Sequence, residues 1–183
     1  HLLLSSGTAS GKTEAAFLPI LTDLSQHPSS SVGILYISPL KALINDQFER
    51  LSDLLIEADI PVYKWHGDVS ASHKNKLRKN PKGLLQITPE SLEAMLTYRK
   101  QEAILFFSDL RYVVIDEVHY FMGENRGIQL LSLLERLSRL TNCSPRRIGL
   151  SATVGNSLEV ADWLASGTTR KCVVPLSLIH ISE

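Results

Sequence analysis

Two segments of this 183-residue chain have residue types and spacing that could do chemistry. The first is Ser6-Gly7-Thr8-Ala9-Ser10-Gly11-Lys12-Thr13. Its small residues let backbone N–H groups curl around phosphate oxygens, and a helix opening near Lys12 adds the positive end of its dipole. Lys12 is long enough to reach the outer phosphates of a nucleotide, and the Thr13 hydroxyl is a ligand of the kind Mg²⁺ takes. Ser6 stands where the strict pattern has its first glycine, so a turn before an ordinary helix stays open as a reading of this segment alone. The second segment is Asp116-Glu-Val-His119, directly after the apolar run Tyr112 to Ile115. Carboxylates at the carboxyl end of a central strand face the crevice where open α/β sheets bind ligands. Asp116 could hold Mg²⁺ there, and Glu117 could orient or deprotonate an attacking water. Taken alone, the pair could equally be solvated acids capping a helix.

Both segments require a particular frame. Short apolar or β-rich runs recur at Val32–Ile37, Val62–Trp65, Gly83–Ile87, Tyr112–Ile115, Arg147–Leu150 and Cys172–Val174, after an opening run at His1–Ser5. Segments with helical spacing lie between them, clearest at Leu40, Leu43, Ile44, Phe48, Leu51, Leu54, Leu55 and at Ile128, Leu130, Leu131, Leu133, Leu134, Leu137, Leu140. Strands alternating with helices predict an α/β fold: one domain with a mainly parallel sheet and helices on both faces. In such a fold the two chemical segments share one edge of the sheet, so each strengthens the reading of the other. Pro19 inside the first helix predicts a kink. Residues 1–174 read as the domain and 175–183 as a tail of uncertain origin.

Composition narrows the classes. With 44% hydrophobic and 21% charged residues the chain is neither disordered nor fibrous. No apolar run approaches membrane length, which leaves a cytoplasmic protein with no membrane partner as the expectation. Cys143 and Cys172 lie far apart and read as inert thiols. His66, Asp68 and His119 lack metal-ligand spacing. Nineteen basic residues balance nineteen acidic ones, so attraction to nucleic acid must be local. The one basic run, His73 to Lys79, reads mainly as a solvated face, and Trp65 as core.

In order and spacing, these segments resemble the first RecA-like P-loop NTPase domain of superfamily 2 helicases of the DEAD/DEAH-box (DEVH) kind. Ser6 to Thr13 matches motif I, Asp116 to His119 matches motif II, and Ser151-Ala152-Thr153 matches motif III. Pro39-Leu40-Lys41 resembles motif Ia and Thr88-Pro89-Glu90 resembles motif Ib. Within the superfamily, Trp65-His-Gly-Asp68 and Asn125-Arg-Gly127 are most similar to the large helicase-related (Lhr-like) group.

The resemblance implies ATP and Mg²⁺ as cofactors. Ser6 to Thr13 would hold the nucleotide, Thr13 and Asp116 the metal, and Lys12, Asp116 and Glu117 the catalytic roles. His119, Ser151, Ala152 and Thr153 would couple nucleotide state to a strand surface, although Ser and Thr also serve there as plain N-caps. Pro39, Leu40, Lys41, Thr88, Pro89 and Glu90 would contact single- or double-stranded nucleic acid, DNA favoured, through helix N-termini. Proline at a first helical position also needs no ligand. The family's motor requires a second RecA-like domain, whose motifs V and VI supply an arginine finger typically worth about 10³ to 10⁵ in rate. Those motifs do not follow Thr153, so this chain alone is expected to turn over little ATP. A non-motor P-loop kinase or a nonfunctional truncated product remains the alternative.

Overall fold

Six strands form one all-parallel sheet in the computed structural model, which describes residues 1–7, 11–123, 125–152 and 156–175. The strands are β1 (Leu2–Ser5), β2 (Val32–Ile37), β3 (Val62–Trp65), β4 (Gly83–Ile87), β5 (Tyr112–Ile115) and β6 (Arg146–Ser151), in the lateral order β1-β6-β5-β2-β4-β3. The helices are α1 (Lys12–Gln26), α2 (Lys41–Ile56), α3 (Ala71–Lys79), α4 (Pro89–Tyr98), α5 (Lys100–Phe107), α6 (Asn125–Thr141) and α7 (Ser157–Ala165), with a 3-10 turn at Val118–Tyr120.

Strands β2 and β5 are buried along their whole length, as their unbroken apolar sequences require in a sheet covered on both faces. Alternate residues then enter opposite cores. Leu35, Ile37, Val113 and Ile115 pack with Leu92, Met95, Phe106, Leu130 and Leu134 beneath α4, α5 and α6. Ile34, Tyr36, Tyr112 and Val114 pack with Phe17, Ile20, Leu51 and Leu55 beneath α1 and α2. Each fully buried large side chain stabilises this arrangement by about 1.5–3 kcal/mol relative to exposure. Trp65 belongs to the first core, its ring edge-on to Phe106 at 5.8 Å.

Because every strand is parallel, every strand-to-helix connection emerges at the same edge. That edge collects residues 6, 7, 11, 38–40, 66–70, 88, 116–120 and 152, which belong to the chemically promising segments. Two expectations need correction. Pro39 does not begin a helix: α2 starts at Lys41 with Leu40 as its N-cap, because a buried Pro39 first carries the chain off β2. Cys172–Val174 is no strand either; Val173 forms one parallel bridge to Leu2 and closes the open side of β1. Helix α1 runs continuously through Pro19. Residues 176–183, nearly all of the expected tail, lie outside the described residues. Among the described residues, no helix is long and apolar enough to cross a membrane.

Candidate functional site

The loop after β1 is anchored by its neighbours. Ser6 N–H donates to Ser151 O at 3.3 Å, and Ser5 Oγ donates to Ala152 O at 3.1 Å. The motif I and motif III segments are thus joined through adjacent strand ends β1 and β6. Thr8, Ala9, Ser10 and Thr153 lie outside the described residues. Gly11 caps α1 with φ of 75°, a left-handed conformation that glycine adopts without a Cβ penalty. The N-cap glycine supplies no side-chain bond to α1, whose N-terminus carries the positive end of the helix dipole. Lys12 Nζ donates to Ser6 O at 2.5 Å and Gly7 O at 2.7 Å, so the ammonium is folded into the loop it would share with a phosphate. Thr13 is buried beside it.

Asp116 ends β5 and is buried; burial raises its carboxyl pKa above the ordinary aspartate value, with the adjacent Glu117 charge adding to the rise. The Lys12 ammonium acts on Asp116 in the opposite sense, which brings motifs I and II into one electrostatic site. Tyr36 Oη lies against this carboxyl and influences its protonation, yet falls short of full hydrogen-bond geometry. Asp116 Oδ1 accepts from Glu117 N–H at 3.0 Å. Glu117 holds φ 49° and ψ 52°, a left-handed conformation costing a non-glycine residue about 1–3 kcal/mol. That conformation turns the chain sharply at the strand end and leaves the carboxylate half-buried, 3.2 Å from His119 Nδ1. His119 Nδ1 also stands 3.5 Å from Ser151 Oγ, so a polar chain runs from Glu117 through His119 to the end of β6.

The other half of the edge carries the motif Ia and Ib segments. At α2 the N-cap Leu40 supplies no side-chain bond, and the first-turn N–H groups are free of a side-chain cap. At α4, Thr88 accepts from Ser91 N–H at 3.3 Å and Pro89 occupies the first turn, as expected. Lys41 Nζ pairs with Asp68 Oδ2 at 3.0 Å, linking the motif Ia segment to the β3 end, and this lysine holds the Asp68 carboxyl below its ordinary range. His66 is 3% exposed, and neither ring nitrogen meets a hydrogen-bond partner. Ser38 Oγ is likewise buried without one.

Glu90 is exposed and ion-paired at the head of α4. It accepts from Arg126 Nη2 at 2.7 Å, and the same nitrogen donates to Pro39 O at 2.9 Å. Arg126 is the functional candidate that sequence reasoning missed: Asn125-Arg-Gly127 was visible as a likeness, but only the fold places it between two segments 36 and 87 residues away. The basic run lies on α3, where Lys74 and Arg78 sit over the Trp65 ring and Arg78 pairs with Glu102. Arg146 and Arg147 lie at the opposite end of β6 from the loop edge, and Arg147 is spent on Leu164 O and Ser166 O. Among the described residues, no group of His, Cys, Asp and Glu could hold a metal by itself.

Lys12 at the head of α1 and Asp116 after β5 thus act on one another electrostatically, with Glu117 adjacent to Asp116. The model of the DEAD/DEAH box helicase family matches residues 1–160. The chain is 38% identical to the Lhr helicase/uracil glycosylase of Escherichia coli (strain K12), over 98% of this chain and 13% of that protein. It is 37% identical to the ATP-dependent helicase Lhr-Core of Methanothermobacter thermautotrophicus, over 95% of this chain and 22% of that one. The structure of Mycobacterium smegmatis helicase Lhr bound to ssDNA and AMP-PNP superimposes with a TM-score of 0.82 at 35% identity, covering 96% of this chain and 24% of that one. The DEAD-box helicase Mss116, at 18% identity and a TM-score of 0.74, shares the fold. The chain spans less than a quarter of the length of each Lhr relative. It belongs to the DEAD/DEAH box helicase family, as a RecA-like helicase domain of the Lhr type.

Proposed function

We propose that residues 1–174 are the ATP-binding lobe of an ATP-dependent nucleic-acid translocase, acting on DNA in preference to RNA. One observation carries the reading: Lys12 and Asp116 share an electrostatic site at the same sheet edge that presents the α2 and α4 N-termini. The residues present fit MgATP. A helix N-terminus headed by a glycine, a lysine that donates to loop carbonyls, and a buried carboxylate with a raised pKa are each stabilised by a phosphate or a cation.

Lys12 and the loop amides would hold the phosphates, while Thr13 and Asp116 would hold Mg²⁺. The bound ion neutralises charge that develops on the phosphates during transfer. Glu117 would orient the attacking water and accept its proton, its carboxylate aimed by the left-handed turn and steadied by His119. His119 and Ser151 would pass the state of that centre to the β6 end and onward to the loop before α7. The α2 N-terminus and Lys41 would contact strand phosphates without reading bases. DNA is favoured because the Lhr relative of known structure is bound to ssDNA. A second RecA-like lobe would supply the arginine finger, and this chain alone would turn over very slowly.

Strand-stimulated ATPase activity of the full-length protein tests this, with Lys12→Ala as control. The expected result is stimulation by single-stranded DNA above that by RNA, and no nucleotide binding by the variant in calorimetry. Undiminished binding by Lys12→Ala would overturn the assignment of the phosphate loop. Activity that no nucleic acid stimulates would overturn the motor.

A further inference from the structure

Resting on the strand-binding reading above, we infer that Arg126 is a positioning residue that locks the motif Ia and Ib segments together and cancels a charge that would repel the strand. The geometry is specific. From the first turn of α6 the guanidinium donates to Pro39 O, the carbonyl just before the α2 N-cap, and to Glu90 Oε1 in the first turn of α4. Its Cζ lies over the Phe121 ring, 5.7 Å from the centroid, immediately after the 3-10 turn that carries His119. One side chain thus touches the strand-facing half of the edge at two places and the nucleotide-facing half at a third.

Glu90 makes the electrostatic role necessary. An acidic residue in the first turn favours the helix itself, but at a helix N-terminus meant for strand phosphates it adds like charge. Glu90 is 60% exposed on its side chain and Arg126 36%, so both lie where a strand would pass. The ion pair removes the carboxylate's field while leaving the α4 N–H groups in place. A lysine would supply charge without the guanidinium that lies over Phe121.

The backbone around Arg126 is built for this aim. A Cβ on Gly127 would stand 2.1 Å from Phe121 O, so only glycine lets α6 start this close to the preceding turn. Gln129 to Glu93 at 2.6 Å then holds α6 along α4.

The test measures binding of a labelled single-stranded oligonucleotide, with AMP-PNP, by the full-length protein. Arg126→Ala is expected to weaken strand binding on the order of tenfold, as loss of a charge-assisted bond predicts. AMP-PNP affinity should stay within about twofold on the same scale. Adding Glu90→Gln to Arg126→Ala should recover much of the strand affinity, because the uncancelled carboxylate is gone. A purely structural arginine would not be rescued by deleting its partner, and its loss would weaken nucleotide and strand alike. Arg126→Gln, which keeps a donor for Pro39 O but no charge, serves if the alanine variant does not fold; it too should be rescued by Glu90→Gln. Unchanged strand binding in a folded variant, or no recovery in the double variant, overturns the role assigned to Arg126. Wild-type protein that binds no strand overturns the motor reading itself, and the role of Arg126 with it.

Discussion

Gly127→Ala separates the packing seen here from helix propensity, because the two predict opposite signs. In an exposed helix the change would stabilise by about 1 kcal/mol. Here the new methyl carbon would lie 2.1 Å from Phe121 O, 3.2 Å from Phe121 C and 3.3 Å from Trp163 Nε1. An ordinary carbon–oxygen contact needs about 3.3 Å, so the start of α6 must retreat by roughly 1.2 Å. Overpacking of this kind costs about 1–3 kcal/mol. The same displacement stretches the 2.9 Å bond from Arg126 to Pro39 O to about 4 Å, beyond hydrogen bonding. Losing that charged bond costs a further ~1.5–3 kcal/mol; the exposed Glu90 regains water and adds little. After the propensity gain, the net cost is about 3 kcal/mol. In a chain of this size that lowers Tm by ~6–12 °C, measurable by circular dichroism with urea titration alongside. A variant as stable as wild type, or more so, would show that α6 has slack at its start and that Gly127 does not fix Arg126.

Two further outcomes follow from the acidic strand end. Asp116→Asn removes a buried carboxylate, so in metal- and nucleotide-free protein it should raise stability while abolishing turnover. Since the folded carboxyl titrates above its unfolded value, wild-type stability falls as pH rises from about 4 through the raised value; the gain should therefore be smaller at pH 4 than at pH 7, and a gain independent of pH would refute it. Glu117→Gln and Glu117→Gly both remove the proposed base and should each cut turnover by roughly 10²- to 10⁴-fold. Only the glycine variant relieves the left-handed backbone, worth about 1–3 kcal/mol less about 0.5–1 kcal/mol for added chain entropy, so it should melt above the glutamine variant; the reverse order would mean the turn is unstrained.

Much of the frame was legible in the chain because it rests on local pattern. The runs Val32–Ile37 and Tyr112–Ile115 are apolar at every face, as only covered parallel strands are, and both occupy the middle of the sheet. The positions of Lys12, Asp116 and Glu117 at strand ends were legible for a similar reason: each motif lies within a few consecutive residues after an apolar strand. Pro39 was misplaced, since the pattern shows that a proline precedes a helix but not how many residues the chain needs to leave β2. The run Cys172–Val174 has strand composition but pairs only at Val173.

What the sequence determined by itself is the candidate phosphate-loop and acidic residues and the parallel α/β frame that puts Lys12 and Asp116 on one edge. These follow from short-range sterics, strand burial and the fact that parallel strands all end the same way. Only tertiary structure decided which side chains meet across that edge. The Lys41–Asp68 pair, the Glu117–His119–Ser151 chain and the reach of Arg126 to Pro39 and Glu90 join residues from different crossovers. Their partners are set by lateral strand order and by close helix approach at Gly127. Neither leaves a periodic or compositional trace along the chain.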